Sequence, residues 1–118
     1  MRMWLVNPRC LCRKHLLGEH VELHMTIGCI NKGTSIRGYI EKGLLETHKI
    51  LERHEELVIE MNRRGYKHNS PCKEFECPPP EGFVDIEANY KELKNRCKEC
   101  CSLINSYEET LNENKNDY

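Results

Sequence analysis

One stripe of side chains constrains this chain more than any other feature. Ile86, Tyr90, Leu93, Cys97, Cys100, Ile104, Tyr107 and Leu111 follow one another at steps of 4, 3, 4, 3, 4, 3 and 4. That spacing lays every member on one face of an α-helix, and an apolar face of that length must be buried against partners. The expected helix opens at Asp85, whose carboxylate suits an N-cap, and runs to Leu111. Two further helices supply the partners. Asn7-Pro8 is a favoured helix opening, and the stripe Cys12, Leu16, His20, Leu23, Ile27 and Ile30 leads to Gly33, which predicts a helix over 8–31. Gly18 inside it costs about 1 kcal/mol against alanine, which points to a close approach there. Leu44, His48, Leu51, Val58 and Met61, with Leu57 widening the face, predict a helix over 43–64. Arg63 and Arg64 stand in its last turn and Gly65 just after, as the helix dipole and C-cap preferences require.

The connections 32–43 and 66–83 have no period, and the second contains Pro71 and Pro78-Pro79-Pro80. No strand pattern competes. The fold expected is all-α, a compact three-helix single domain over residues 1–111 with a polar tail over 112–118. No apolar run approaches the roughly 18 residues a membrane span requires. The N-terminus has no apolar stretch of the secretory kind, so the expected location is intracellular.

Charge is uneven along the chain. Residues 1–68 hold 12 Lys+Arg against 8 Asp+Glu, whereas residues 69–118 hold 6 against 11. His15, His20, His24, His48, His54 and His68 all lie in the basic part. Charge alone fits a solvated surface; a basic half with an acidic tail also fits a polyanion partner. The net charge of −1 excludes a histone-like protein.

Eight cysteines in a chain without a secretory signal are expected to be reduced thiols. Cys72-x4-Cys77 and Cys97-x2-Cys100 have a tolerable spacing for a tetrathiolate zinc site. Against that, Cys97 and Cys100 lie on the apolar seam, where cysteine packs as a small hydrophobe. His15 and Glu22 lie seven apart near one helix face, and His15 with Glu19 is an i,i+4 pair. By spacing alone this is a solvated face, its pairs worth a few tenths of a kcal/mol. There is no Walker A, GxSxG or HExxH sequence to force a reaction class.

The block Cys12-Arg13-Lys14-His15-Leu16-Leu17-Gly18-Glu19-His20-Val21-Glu22-Leu23-His24 carries a resemblance. With Arg2-Met3-Trp4, Glu52-Arg53-His54-Glu55-Glu56-Leu57, Arg63 to Pro71, Val84 to Leu93 and Arg96 to Cys100, it resembles the pyrimidine-dimer DNA glycosylase family, the phage-type endonuclease V. The resemblance extends over roughly residues 1–104. It implies a compact helical fold with the N-terminal segment threaded between helices beside the active site. It implies excision of ultraviolet pyrimidine dimers from double-stranded DNA, then strand cleavage at the abasic site, by a monomer without metal or cofactor. The nucleophile it implies is the chain's own α-amine, which forms an imine and allows β-elimination. An α-amine has an ordinary pKa of about 7.7–8.0, so a useful fraction is neutral at pH 7.

Counted back from the His-Leu-Leu-Gly-Glu block, the nucleophile falls on Met1, and arginine at position two disfavours removal of the initiator. Glu22 matches the carboxylate that stabilises the cationic sugar. Arg2 matches a basic residue beside the reacting sugar and phosphate, and His15 one that contacts the DNA backbone. Val21 stands where the phage-type enzymes place a phosphate-gripping arginine, and Met25 near another such place. Arg13, Lys14, His20, His24 or Arg37 is expected to supply the missing charge. The contrasting reading is a non-enzymatic helical interaction module, zinc-stabilised through Cys72, Cys77, Cys97 and Cys100.

Overall fold

The computed structural model describes residues 1–67 and 71–116, with side chains to Asn112. His68, Asn69, Ser70 and the last two residues of the expected tail lie outside the described residues. The fold is all-helical, with five α-helices among the described residues rather than three: α1 Arg13–Lys32, α2 Arg37–Glu41, α3 Ile50–Arg63, α4 Ile86–Arg96 and α5 Lys98–Asn116. Two 3₁₀ turns, Pro8–Cys10 and Thr47–Lys49, precede α1 and α3. No helix among the described residues is long and apolar enough to cross a membrane.

Local signals hold where the chain decides locally. The Asn7 side chain accepts from the Arg9 N–H, and that of Asp85 from the Ala88 N–H, so both cap as expected. Gly33 closes α1 with φ 73°, and Gly65 follows α3 with φ 81°. Both values lie in the left-handed region, where glycine carries no Cβ penalty.

The long helices break where tertiary contacts intervene. The expected first helix splits because Leu11 and Cys12 adopt extended backbone, which buries Cys10 and Leu11 and brings the Cys12 N–H to the Cys100 sulfur at 3.2 Å. The seam splits at Cys97, whose φ −137° and ψ 112° leave the helix. Helices α4 and α5 then fold back on one another, tied by Lys94 Nζ to Glu108 at 3.0 Å, and α5 continues past Leu111. Both halves of the stripe still face the core: Leu93, Cys100 and Ile104 are fully buried.

The face of α3 is rotated from the one the apolar residues predict. Leu51 is exposed, while Ile50, Arg53, His54, Leu57, Glu60 and Met61 are buried. Arg53 drives this. Its Nε and Nη2 reach the Glu19 carboxylate of α1 at 2.6 and 3.0 Å, with both side chains sealed from solvent. Arg53→Ala leaves a buried carboxylate without its counter-ion, a change that costs about 3–5 kcal/mol. Urea unfolding of this variant is expected to show that loss, and the double change Glu19→Gln, Arg53→Met is expected to recover most of it.

Helix α1 packs on α3, and the 3₁₀ turn Pro8–Cys10 sits against α3 and α5. Arg64 fastens it by donating to the carbonyls of Pro8 and Leu11. The N-terminal segment is part of the core: Met3 and Val6 are fully buried and Trp4 nearly so. The Met3 N–H donates to the Leu44 carbonyl at 2.8 Å, and Asn89 Nδ2 of α4 donates to the Trp4 carbonyl at 2.8 Å. In the 66–83 connection, Gly82 has φ 87°, and a Cβ there would lie 2.0 Å from the Leu45 carbonyl oxygen. Only glycine fits.

Candidate active site

A cavity of about 750 Å³ opens beside the N-terminal segment. Its volume falls within the roughly 300–1,000 Å³ of small-ligand pockets. One wall is the exposed side of α1, from Lys14 through His15, Gly18 and Glu19 to Glu22; Arg2, Trp4 and Arg96 close the other. Gly18 does not mark a close approach within the chain: a Cβ there meets nothing within 4 Å. Its missing side chain leaves cavity space instead.

Glu22 is held where a charge on it is costly. Burial pushes its carboxyl above the ordinary value of 4.5, the nearby Glu19 carboxylate adds to this, and the Met1 ammonium opposes it. The charge of the chain's first amine therefore acts on Glu22. Met1 is fixed further by its thioether, which accepts from the Thr26 hydroxyl at 3.3 Å. Glu19 also lines the cavity, but its oxygens are occupied by Arg53. It is a structural anion and not a second free carboxylate.

Arg2 stacks on Trp4, its Cζ 3.7 Å from the ring centroid. It also donates to Asn89 Oδ1 at 2.7 Å and pairs with Glu92, which leaves Nε buried without a partner. Arg96 approaches the same Trp4 ring at 5.7 Å. His15 stands edge-on to that indole. Burial lowers its pKa, with the charges of Arg96 and Lys14 adding to the effect, so the ring is neutral near pH 7.

The structure thus gathers Arg2, Lys14, His15 and Glu22 at one cavity, with the Met1 side chain against Thr26 one turn further along α1. It does not bring the other expected DNA-binding residues there. Arg13 is exposed and lies over the Tyr66 ring at 5.0 Å. Arg37 lines a separate hollow with Thr34 and Glu81. His20 is 6% exposed, and with His24 it faces His54 of α3, so it is not placed to grip a phosphate. Trp4 and Arg96 escaped the sequence reading. Their only signal was membership of resembling segments, because nothing local says that position 96 returns to position 4.

Over residues 1–74 the chain matches the pyrimidine dimer DNA glycosylase family. The chain belongs to this family. The match includes the whole α1 wall of the cavity and ends before α4, which contributes Arg96. Pyrimidine dimer DNA glycosylases act in DNA repair, so DNA is the substrate expected of a member. No curated protein and no solved structure matches the chain.

Proposed function

We propose that this chain is a DNA repair glycosylase with abasic-site lyase activity that uses the α-amine of Met1 as nucleophile and Glu22 as the carboxylate partner. The observation that carries this reading is a cavity beside the N-terminal segment that gathers the Glu22 carboxylate with Arg2, Lys14 and Arg96, while the Met1 side chain lies against Thr26, one turn further along α1. The neutral amine attacks C1′ of the damaged nucleotide, and the C1′–N bond to the base breaks with its electron pair leaving on the base. Ring opening gives an imine between Met1 and the sugar. That imine acidifies C2′–H, and loss of the proton expels the 3′ phosphate. Glu22 stabilises the cationic sugar and moves protons at these atoms. One chain holds both groups, so a monomer suffices.

The cations at the cavity fit a nucleic-acid backbone, and the open space at Gly18 lets a sugar approach α1. Val21 and Met25 are more than half exposed on α1 and uncharged. Phosphate contact therefore falls to Lys14, Arg96 and the nearby Arg13. This weakened grip places strand cleavage at abasic sites ahead of pyrimidine-dimer excision as the first activity to measure. Borohydride reduction in the presence of a duplex carrying one abasic site is expected to trap one DNA strand per chain, with the adduct on the Met1 peptide. An adduct mapped to a lysine, or no adduct at all, overturns the reading.

A further inference from the structure

We propose that Cys12, His15, Cys97 and Cys100 bind one zinc ion that joins the start of α1 to the α4–α5 junction. This is not the tetrathiolate suggested by sequence spacing. Cys77 is exposed and donates to the Thr47 carbonyl, so Cys72-x4-Cys77 is not the partner of Cys97 and Cys100. The partner is Cys12-x2-His15.

Four observations carry the site. First, the three sulfurs and one ring nitrogen all lie within 4.8 Å of one another. His15 Nδ1 is 3.1 Å from Cys12 Sγ and 3.4 Å from Cys100 Sγ, and Cys12 Sγ is 3.9 Å from Cys97 Sγ. A tetrahedron with Zn–S of about 2.3 Å and Zn–N of about 2.0–2.1 Å has edges of about 3.5–3.8 Å. These separations bracket that figure. Second, the cysteines are not disulfide-bonded, and the ligand atoms are too closely grouped to surround a multi-iron cluster.

Third, the same device is used twice. Cys12 and Cys97 each adopt extended backbone immediately before a helix, and the second ligand of each pair, His15 or Cys100, stands in the first turn of that helix. Both departures from continuous helix therefore fall at ligands. Fourth, the sulfurs already have N–H donors: the Cys12 N–H reaches Cys100 Sγ at 3.2 Å, and the Cys100 N–H reaches Cys97 Sγ at 3.4 Å. Such bonds stabilise thiolates and orient metal ligands.

Four protein ligands make the site structural, with no position left for a reacting water. Its consequence for the cavity is positional. The ion fixes His15 and, through the α4–α5 junction, Arg96. With Nδ1 on zinc, the His15 proton resides on Nε2, which makes the ring a permanent neutral donor.

A different observation carries a second ion. The Nε2 atoms of His20, His24 and His54 converge, with separations of 3.2, 3.3 and 3.2 Å. Metal–nitrogen bonds of about 2.0–2.1 Å give tetrahedral edges of about 3.3–3.4 Å. The three ring nitrogens thus stand at the corners of one face of a metal-sized tetrahedron. We infer that they supply three of the ligands of a second zinc, between α1 and α3.

Both are tested on the full chain, purified reduced and refolded with zinc or with Co²⁺. Metal analysis after dialysis is expected to give two zinc ions per chain. Zinc X-ray absorption is expected to show sulfur neighbours at about 2.3 Å, and the Co²⁺ form a thiolate-to-metal charge-transfer band. Absence of both sulfur signals overturns the first site, and this needs no variant. Cys97→Ser with Cys100→Ser is expected to lose the band and one zinc. His24→Gln, at the more accessible histidine, is expected to lose one zinc and keep the band. A native chain that holds a single zinc and shows the thiolate band overturns the second site alone.

Discussion

A single uncleaved residue placed before Met1 is expected to abolish borohydride trapping and cleavage of an abasic duplex while leaving DNA binding largely intact. The register of this segment is fixed from several sides. The Met3 N–H is bonded to Leu44, the Trp4 carbonyl to Asn89, the Asn7 N–H to Tyr90, and the Met1 thioether to Thr26. An added residue therefore cannot be absorbed by sliding the chain. It moves the amine by about 3.5 Å, and misplacement of a reacting group by even 1 Å can cost about 100-fold. Acetylation of the native amine is the companion experiment, because it removes nucleophilicity without displacing anything. If the extended protein cuts abasic DNA as fast as the native chain, the Met1 assignment is wrong.

Glu22→Gln is expected to lower single-turnover cleavage by about 10²–10⁴-fold, the usual worth of a positioned acid–base group. The fold should survive. Glutamine is nearly isosteric and suits a helix. Stability at neutral pH should rise. Burial, the largest influence on Glu22, raises its folded pKa above 4.5. The unfolded chain releases that proton first, so stability contributed by Glu22 falls as pH rises from about 4.5 through the folded value. The neutral amide does not suffer this penalty. The same shift moves upward the second, lower-pH break on the acid side of the wild-type pH–rate profile, because cleavage needs Glu22 ionised as well as the amine neutral. A variant with near-native cleavage, or one less stable at pH 7 than the wild type, would remove the basis for this role. Glu19 cannot be invoked as a substitute while Arg53 occupies both of its oxygens.

The helical class was legible because it depends on side-chain period, and the α1 stripe from Leu16 to Ile27 is buried as its spacing demands. Much of the cavity wall was legible for the same reason: Lys14, His15, Gly18, Glu19 and Glu22 are near neighbours along one helix. The caps at Asn7, Gly33, Gly65 and Asp85 could be read because each is settled by bonds or dihedral angles within a few residues.

The opposite wall could not be read this way. Arg96 meets Trp4 because α4 packs on the N-terminal segment, where Asn89 also holds the Trp4 carbonyl, and no glycine or proline marks the break that ends α4 at Cys97. The period of the seam continues unbroken through it, since a stripe folded back on itself still buries both halves. Likewise, hydropathy assigns Arg53, His54 and Glu60 to a solvent face. Arg53 and His54 are buried against partners 34 residues away, Glu19 and His20, whereas Glu60 is paired locally with Arg63 and Arg64. The cysteines teach the same lesson. Spacing made Cys97 and Cys100 a tolerable ligand pair alongside Cys72 and Cys77, but Cys12 and His15, 85 residues away, are the side chains that meet them. The sequence by itself determined what period and local bonding can determine: helices, their caps and one chemically dense helix face. Tertiary structure alone decided which distant charges neutralise one another and which thiols meet, because those pairings depend on the free energy of burial, to which sequence distance is no guide.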